Sequence, residues 1–327
     1  MNKEGSFTIS LDFELFWGVR ANRELDDYKE NLLGVYEAIP KILVLFKKYE
    51  IHATWATVGF LFHENIEEIQ LNHPKILPLY SNKRVDPYLY LEKLSIENRD
   101  EAFKKMHCAS SLIHDIKNTP HQEIGTHTYS HFFTYESYQN KNAFSSDIHH
   151  ALEIGEKKGF SLKSLVFPRN QVDEKSIHQL KGSKIESYRG NPIHWAYSEG
   201  DKPNKSFFLR LYRLLDTYIN ISGHHTSRAK KEEGAIELKA SMMLRPYFHK
   251  LSYLEPLKIR RIKKAMKQAG KEGSNFHLWW HPHNFGVNQK ENLKNLEELL
   301  LYFQKLKSIY NMNSSTMKEV ISDVNHK

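Results

Sequence analysis

The chain has 327 residues, of which 40% are hydrophobic, 12% aromatic and 26% charged, and this excludes a disordered chain. The single cysteine, Cys108, excludes an intramolecular disulfide and a cysteine-based zinc cluster. The net charge of +8, from 47 Lys+Arg against 39 Asp+Glu, raises the question of an anionic partner. The lysines are scattered and the aromatics are not interleaved with them on one surface, so no nucleic-acid partner is expected.

The N-terminal stretch MNKEGSFTISL lacks the basic and apolar regions of a signal peptide, and no apolar run approaches the ~20 residues of a transmembrane helix. A cytoplasmic protein is the expectation. From Phe7 to Glu14 apolar and polar residues alternate as in a strand with one buried face. A helical pattern follows from about Tyr28 to Tyr49, with Pro40 expected to kink or split it. Ala53–Phe60 reads as a second strand, and residues 64–100, with Pro74, Pro78 and Pro87, as an irregular insertion before a helix near 100–117. Further strands are predicted at Glu123–Thr126, Ser164–Pro168, Glu186–Arg189, Ile236–Leu244 and Asn275–His281. Helices are predicted near 143–158, 172–181, 255–270 and 290–309. A second insertion, 195–234, pairs an amphipathic stretch with a basic loop. Seven strands alternating with helices predict an α/β fold, one domain over residues 1–327 with parallel strands and its site at their C-terminal ends.

Several strand ends carry groups capable of chemistry. Asp12 and Glu14 lie two apart, on one face of the first strand, opposite Phe7, Ile9, Leu11 and Phe13. Two neighbouring buried anions need a cation or a proton, which marks the pair for metal binding or acid–base work. Spacing leaves open which acid does which. His127 and His131 follow the third strand, and a helical turn there would put both rings on one side, able to grip one ion. His277 and His281 repeat the spacing, so spacing alone is weak evidence and position after a strand strengthens it. Arg169, after the fourth strand, could hold a carboxylate in a bidentate pair, the plainer alternative being a surface arginine. In Asn275–Asn284, Trp279 and His281 share a strand face, joining a sugar-stacking surface to a group that titrates near neutrality, whereas Trp280 is expected in the core.

Taken in order from Ser10 to about Val320, these motifs resemble the polysaccharide deacetylase family, the NodB-homology domain of carbohydrate esterase family 4. The family's Thr-Phe-Asp-Asp strand end is matched by Ser10-Leu11-Asp12-Phe13-Glu14, and its His-Ser/Thr-x-x-His motif by His127-Thr128-Tyr129-Ser130-His131. Ala53-Thr54 through Gly59 resembles its second strand. Its Arg-x-Pro motif is matched with the order changed, Pro168 preceding Arg169, and Trp279 replaces leucine in its Leu-x-His motif. Ser187–Gly190 and Trp279–Phe285 look like a branch associated with surface-polysaccharide gene clusters.

The resemblance implies a distorted TIM-like (β/α)7 barrel that binds one divalent ion, usually Zn2+, and removes an N-acetyl group from an amino sugar. It implies Glu14, His127 and His131 as metal ligands, Asp12 as the base, Arg169 as the residue that orients it, and His281 as the acid. Tyr188, Arg189, Trp279 and Asn284 are the substrate contacts it suggests. The sugar would be nucleotide-, lipid- or glycan-linked. The amphipathic stretch 206–221 and the basic segments 228–231 and 258–267 suggest peripheral contact with the inner face of an anionic membrane. A metal-dependent amidase acting on a small non-sugar amide and a non-catalytic carbohydrate-binding relict of the barrel are the competing readings.

Overall fold

The computed structural model describes residues 4–94, 100–137, 142–197, 206–232 and 234–325. Its strands are β1 (Ser6–Phe13), β2 (Ala53–Thr57), β3 (Gln122–Thr126), β4 (Ser164–Val166) and β5 (Ser187–Gly190), followed by β6 (Lys230–Lys231), β7 (Ile236–Lys239), β8 (Met242–Met243), β9 (Asn275–Trp280) and β10 (Asn313–Ser314). They form one sheet in the order β6-β7-β5-β4-β3-β2-β1-β9-β8, with β10 also paired to β1. Every pairing is parallel except β6 with β7.

All seven predicted strands form, and the predicted Ile236–Leu244 strand changes partners midway. Ala240 N donates to Gly190 O at 2.8 Å, and the next residue, Ser241, donates to His277 O at 2.8 Å. The run therefore leaves β5 and joins β9, so the sheet curls back on itself as a distorted barrel.

Alternation along β1 sorts its side chains. Phe7, Ile9, Leu11 and Phe13 pack outward into a core shared with Trp55, Trp280 and the surrounding helices. Thr8, Ser10 and Asp12 point inward and are also buried. On the inner face, Ala56, Val166 and Leu238 pack on Met317, Val320 and Ile321. The C-terminal helix carrying these residues is tied to the sheet by Met317 N donating to Thr54 Oγ1 and Lys318 N to Glu123 Oε2. It closes one end of the curl and leaves the strand C-termini for the site.

Pro40 does not split its helix, which runs unbroken as Leu25–Lys48. Pro40 is exposed, while Ala38, Ile39, Ile42 and Leu43 beside it are buried, so packing outweighs the one missing backbone bond. The helix expected near 100–117 is two helices, Glu101–His107 and Ser110–Asn118. Both predicted insertions fall partly outside the described residues, at 95–99, 198–205 and 233. No helix among the described residues is long and apolar enough to cross a membrane.

Candidate metal centre and catalytic site

β1 ends in a sharp change of direction. Leu15 adopts φ 45, a left-handed conformation costly for a branched residue, and a short helix, Phe16–Val19, follows. This turn sets the Glu14 carboxylate against Gly18, where a Cβ would lie 1.9 Å from Glu14 Cδ. Only glycine leaves the carboxylate its place.

Glu14 Oε2 lies 3.2 Å from His127 Nε2 and 3.0 Å from His131 Nε2, and all three residues are buried. The three donor atoms lie within 4.8 Å of one another. His127 Nδ1 is 2.8 Å from Val166 O, so Nδ1–H donates to the carbonyl and Nε2 keeps its lone pair toward the cluster. Burial pushes the His131 imidazole down to about 4, which keeps it neutral and able to donate a lone pair. One carboxylate with two imidazoles is a donor set that suits a divalent ion such as zinc. These residues fit a metal.

The predicted helical turn does not form. Residues 127–131 are a loop in which Thr128 and His131 take φ 65 and 57. Asp147, absent from the sequence reading, holds this loop, since its carboxyl accepts from Tyr129 N at 2.6 Å, Ser130 N at 3.2 Å and Ser130 Oγ at 2.5 Å. Burial pushes Asp147 up to about 7, against the pull of these donors. On the other side the loop is clamped to the end of β2 by Gly59 N donating to Thr128 O and Phe60 N to Tyr129 O.

The second acid has different company. Arg189 makes a bidentate pair with Asp12, Nη1 to Oδ1 at 2.6 Å and Nη2 to Oδ2 at 2.8 Å, and also donates to Ser10 Oγ and Asn170 Oδ1. Burial would raise the Asp12 carboxyl, but the Arg189 guanidinium, helped by His127 and His281, holds it below its ordinary value. Burial acts the same way on Glu14, and the facing His281, with His127 and His131 against the carboxylate, brings it well below the ordinary range. His281 Nε2 lies 3.7 Å from Asp12 Oδ2 and 3.6 Å from Glu14 Oε1, facing both acids.

Three expectations need correction. Arg169 does not orient Asp12: its guanidinium lies over the Phe133 ring at 4.3 Å and pairs with Glu136 at 3.3 Å. Arg169 and Asn170 have φ 54 and 53, and this left-handed turn accompanies a side chain turned to the rim. Arg189, expected at the substrate, is buried and stands against Asp12 instead. Tyr188 is not a substrate contact, because neighbours on a strand face opposite ways. With Arg189 pointing inward, Tyr188 packs outward on Phe167 in the core.

Trp279 is partly exposed, with the Arg189 guanidinium 4.4 Å from its ring centre and the His281 ring at 5.6 Å. Asn284 Nδ2 approaches His281 Nδ1 at 3.5 Å, while its Oδ1 accepts from Tyr28 at 3.3 Å. His277, the other member of the second histidine pair, is buried and bonds Ser10 Oγ at 2.8 Å, away from the metal cluster.

No family model matches the sequence, and no curated protein matches it. Solved structures do match. A protein described as a polysaccharide deacetylase from Mycobacterium smegmatis aligns with 100% of this chain and 92% of its own, at 11% identity and TM-score 0.59. The α-amylase AmyC from Thermotoga maritima aligns with 98% of this chain and 74% of its own, at 12% identity and TM-score 0.55. A GH57-type branching enzyme from Pyrococcus horikoshii aligns with 98% and 70%, at 10% identity and TM-score 0.53. Such low identities speak for the fold, and one fold hosts many chemistries. The chain thus shares its curled, mainly parallel α/β architecture with a deacetylase-type protein and with amylase-type proteins, and its own side chains must decide between them.

Proposed function

We propose that this chain is a metal-dependent hydrolase of the polysaccharide deacetylase type, which cleaves the N-acetyl amide of an amino sugar in a surface-glycan precursor. The observation that carries the reading is the separation of the two acids, Glu14 with His127 and His131, Asp12 with Arg189.

Glu14, His127 and His131 would hold the ion. A divalent ion there supplies a Lewis acid for the amide carbonyl and lowers the pKa of the attacking water. Asp12, kept ionised by Arg189, takes the proton of the water that adds to the carbonyl carbon. The C–N bond then breaks as the nitrogen takes a proton from His281, giving acetate and a free amine. Asn284 is a positioning residue for His281, and Trp279 offers a ring face to the sugar.

Glycoside hydrolysis, the chemistry of the amylase-type neighbours, needs one carboxyl that stays protonated to donate to the leaving oxygen. Asp12 and Glu14 are both held below the ordinary carboxylate range, which speaks against that reading. The Arg189–Asp12 pair also weakens the case for a catalytic relict, because a buried guanidinium does what Arg169 does not.

The test is acetate release from UDP-N-acetylhexosamines and N-acetylated oligosaccharides by the wild type and His127→Ala, with metal content measured. The wild type should release acetate and carry about one divalent ion per chain, and the variant should do neither. A metal-loaded wild type that deacetylates no amino sugar would favour the small-amide reading, and a chain unable to take up a divalent ion the relict.

A further inference from the structure

Beside the site lies a cavity of about 220 Å³ whose walls carry Arg169, Arg213, Arg245, Lys258 and Arg261 against a single carboxylate, Asp216. It sits between the helix Phe207–Asp216, the strand switch at Ala240–Met243 and the helix Glu255–Glu272. Its wall includes Asn170 and Trp279, the residues in contact with Arg189, so cavity and catalytic site share a boundary.

Most of this charge is accounted for. Lys258 pairs with Glu255 at 2.7 Å, and Arg169 with Glu136. Asp216 is saturated, since it accepts from Arg261, Tyr197, the Ser222 hydroxyl and the backbone of Ile221 and Ser222. Two donors are left over. Arg245, whose guanidinium is pushed down by burial, has no carboxylate partner among the described residues. Arg261 is 4% exposed, and its Nη1 is buried with no hydrogen-bond partner. A guanidinium that lines a cavity without a counter-anion, as Arg245 does, favours an anion there, and the arginine fork matches phosphoryl oxygens.

We infer that this cavity binds a phosphoryl or diphosphoryl group, and that the substrate is an acylated amino sugar carrying such a group. The substrate part of this inference rests on the deacetylase reading, whereas the binding site does not. A nucleotide or a lipid carrier could supply the phosphate. The helix that contributes Arg213 and Asp216 also leaves Phe207, Phe208, Leu211 and Leu215 exposed, a surface able to meet a lipid chain.

Titration of the metal-loaded protein with inorganic phosphate and with UDP tests the site directly. Arg245→Gln should weaken both by about tenfold or more, Arg245→Lys should recover part of the loss, and the exposed Lys47→Gln should change nothing. Acetate release is then compared for UDP-N-acetylglucosamine, a polyprenyl-diphosphate-linked N-acetylglucosamine and a neutral N-acetylglucosamine oligomer. The inference predicts a lower KM for one phosphorylated substrate, raised in Arg245→Gln with kcat nearly kept, and the preferred carrier identifies the source. Phosphate binding indifferent to Arg245, or a neutral oligomer used as well as both carriers, overturns it. If phosphate binding depends on Arg245 but no substrate yields acetate, the deacetylase reading fails and the anion site stands.

Discussion

Asp12 and Glu14 are the same chemical group two residues apart, and their neighbours give them different tasks. Glu14→Gln should cost most of the bound metal, whereas Asp12→Asn should keep the metal and lose about 100-fold or more in kcat, as metal analysis beside acetate release would show. Loss of metal in both variants would contradict the division of roles. Gly18→Ala should likewise release metal in a folded chain, because the new Cβ takes the space of the Glu14 carboxylate. The arginines should differ as sharply. Arg189→Gln leaves Asp12 buried and unpaired and should destabilise the chain by about 3–5 kcal/mol, while Arg169→Gln breaks a partly exposed pair with Glu136 and should cost about 1 kcal/mol or less. Denaturant unfolding of both variants makes the comparison. Asp12, Glu14, His127, His131 and His281 were legible as candidates from residue type and strand position. The role of Arg189 was not, because it depends on which strand stands across the curl from β1.

At the scale of elements, the loop 127–131 is held by tertiary contacts and not by a repeating backbone pattern. Two residues with positive φ turn His127 and His131 toward Glu14, and Asp147, on the helix Ala143–Lys157, satisfies the backbone between them. Asp147→Ala would leave two buried N–H groups without their acceptor, and each costs about 1–3 kcal/mol. Metal affinity should fall by about 10- to 100-fold, the effect of losing an outer support of a metal site, with Glu14, His127 and His131 all still present. Zinc titration of the variant against the wild type reads this out, and unchanged affinity would show that the β2 clamp suffices. The motif His127-Thr128-Tyr129-Ser130-His131 was visible in the sequence, but its geometry was not, since a four-residue spacing fits a helical turn as well as this loop.

Across the whole molecule, burial of histidine makes stability depend on pH. Burial pushes His107 down to about 4 and His277 down to about 3, from an ordinary 6.5. Above pH 6.5 these rings are neutral in both folded and unfolded chains and contribute no slope. Below it the unfolded chain binds protons that the folded chain refuses, so stability is lost as pH falls, by about 2 kcal/mol for each ring at pH 5. In metal-free protein, thermal or denaturant unfolding at pH 7 and pH 5 should show this loss, and His107→Gln should remove about one ring's share of it. An unchanged slope in that variant would mean that other groups set the acid sensitivity.

The order of seven strands, the outward apolar face of β1 and five candidate site residues follow from local pattern. Alternation, helical spacing and the cost of burying charge act over a few residues and are written in the sequence itself. Tertiary structure decided the partner change at Ala240–Ser241, the bidentate hold of Arg189 on Asp12, the outward packing of Tyr188 and the cationic cavity around Arg245. Each of these joins residues far apart in the chain, and only the closing of the sheet determines which side chain faces which.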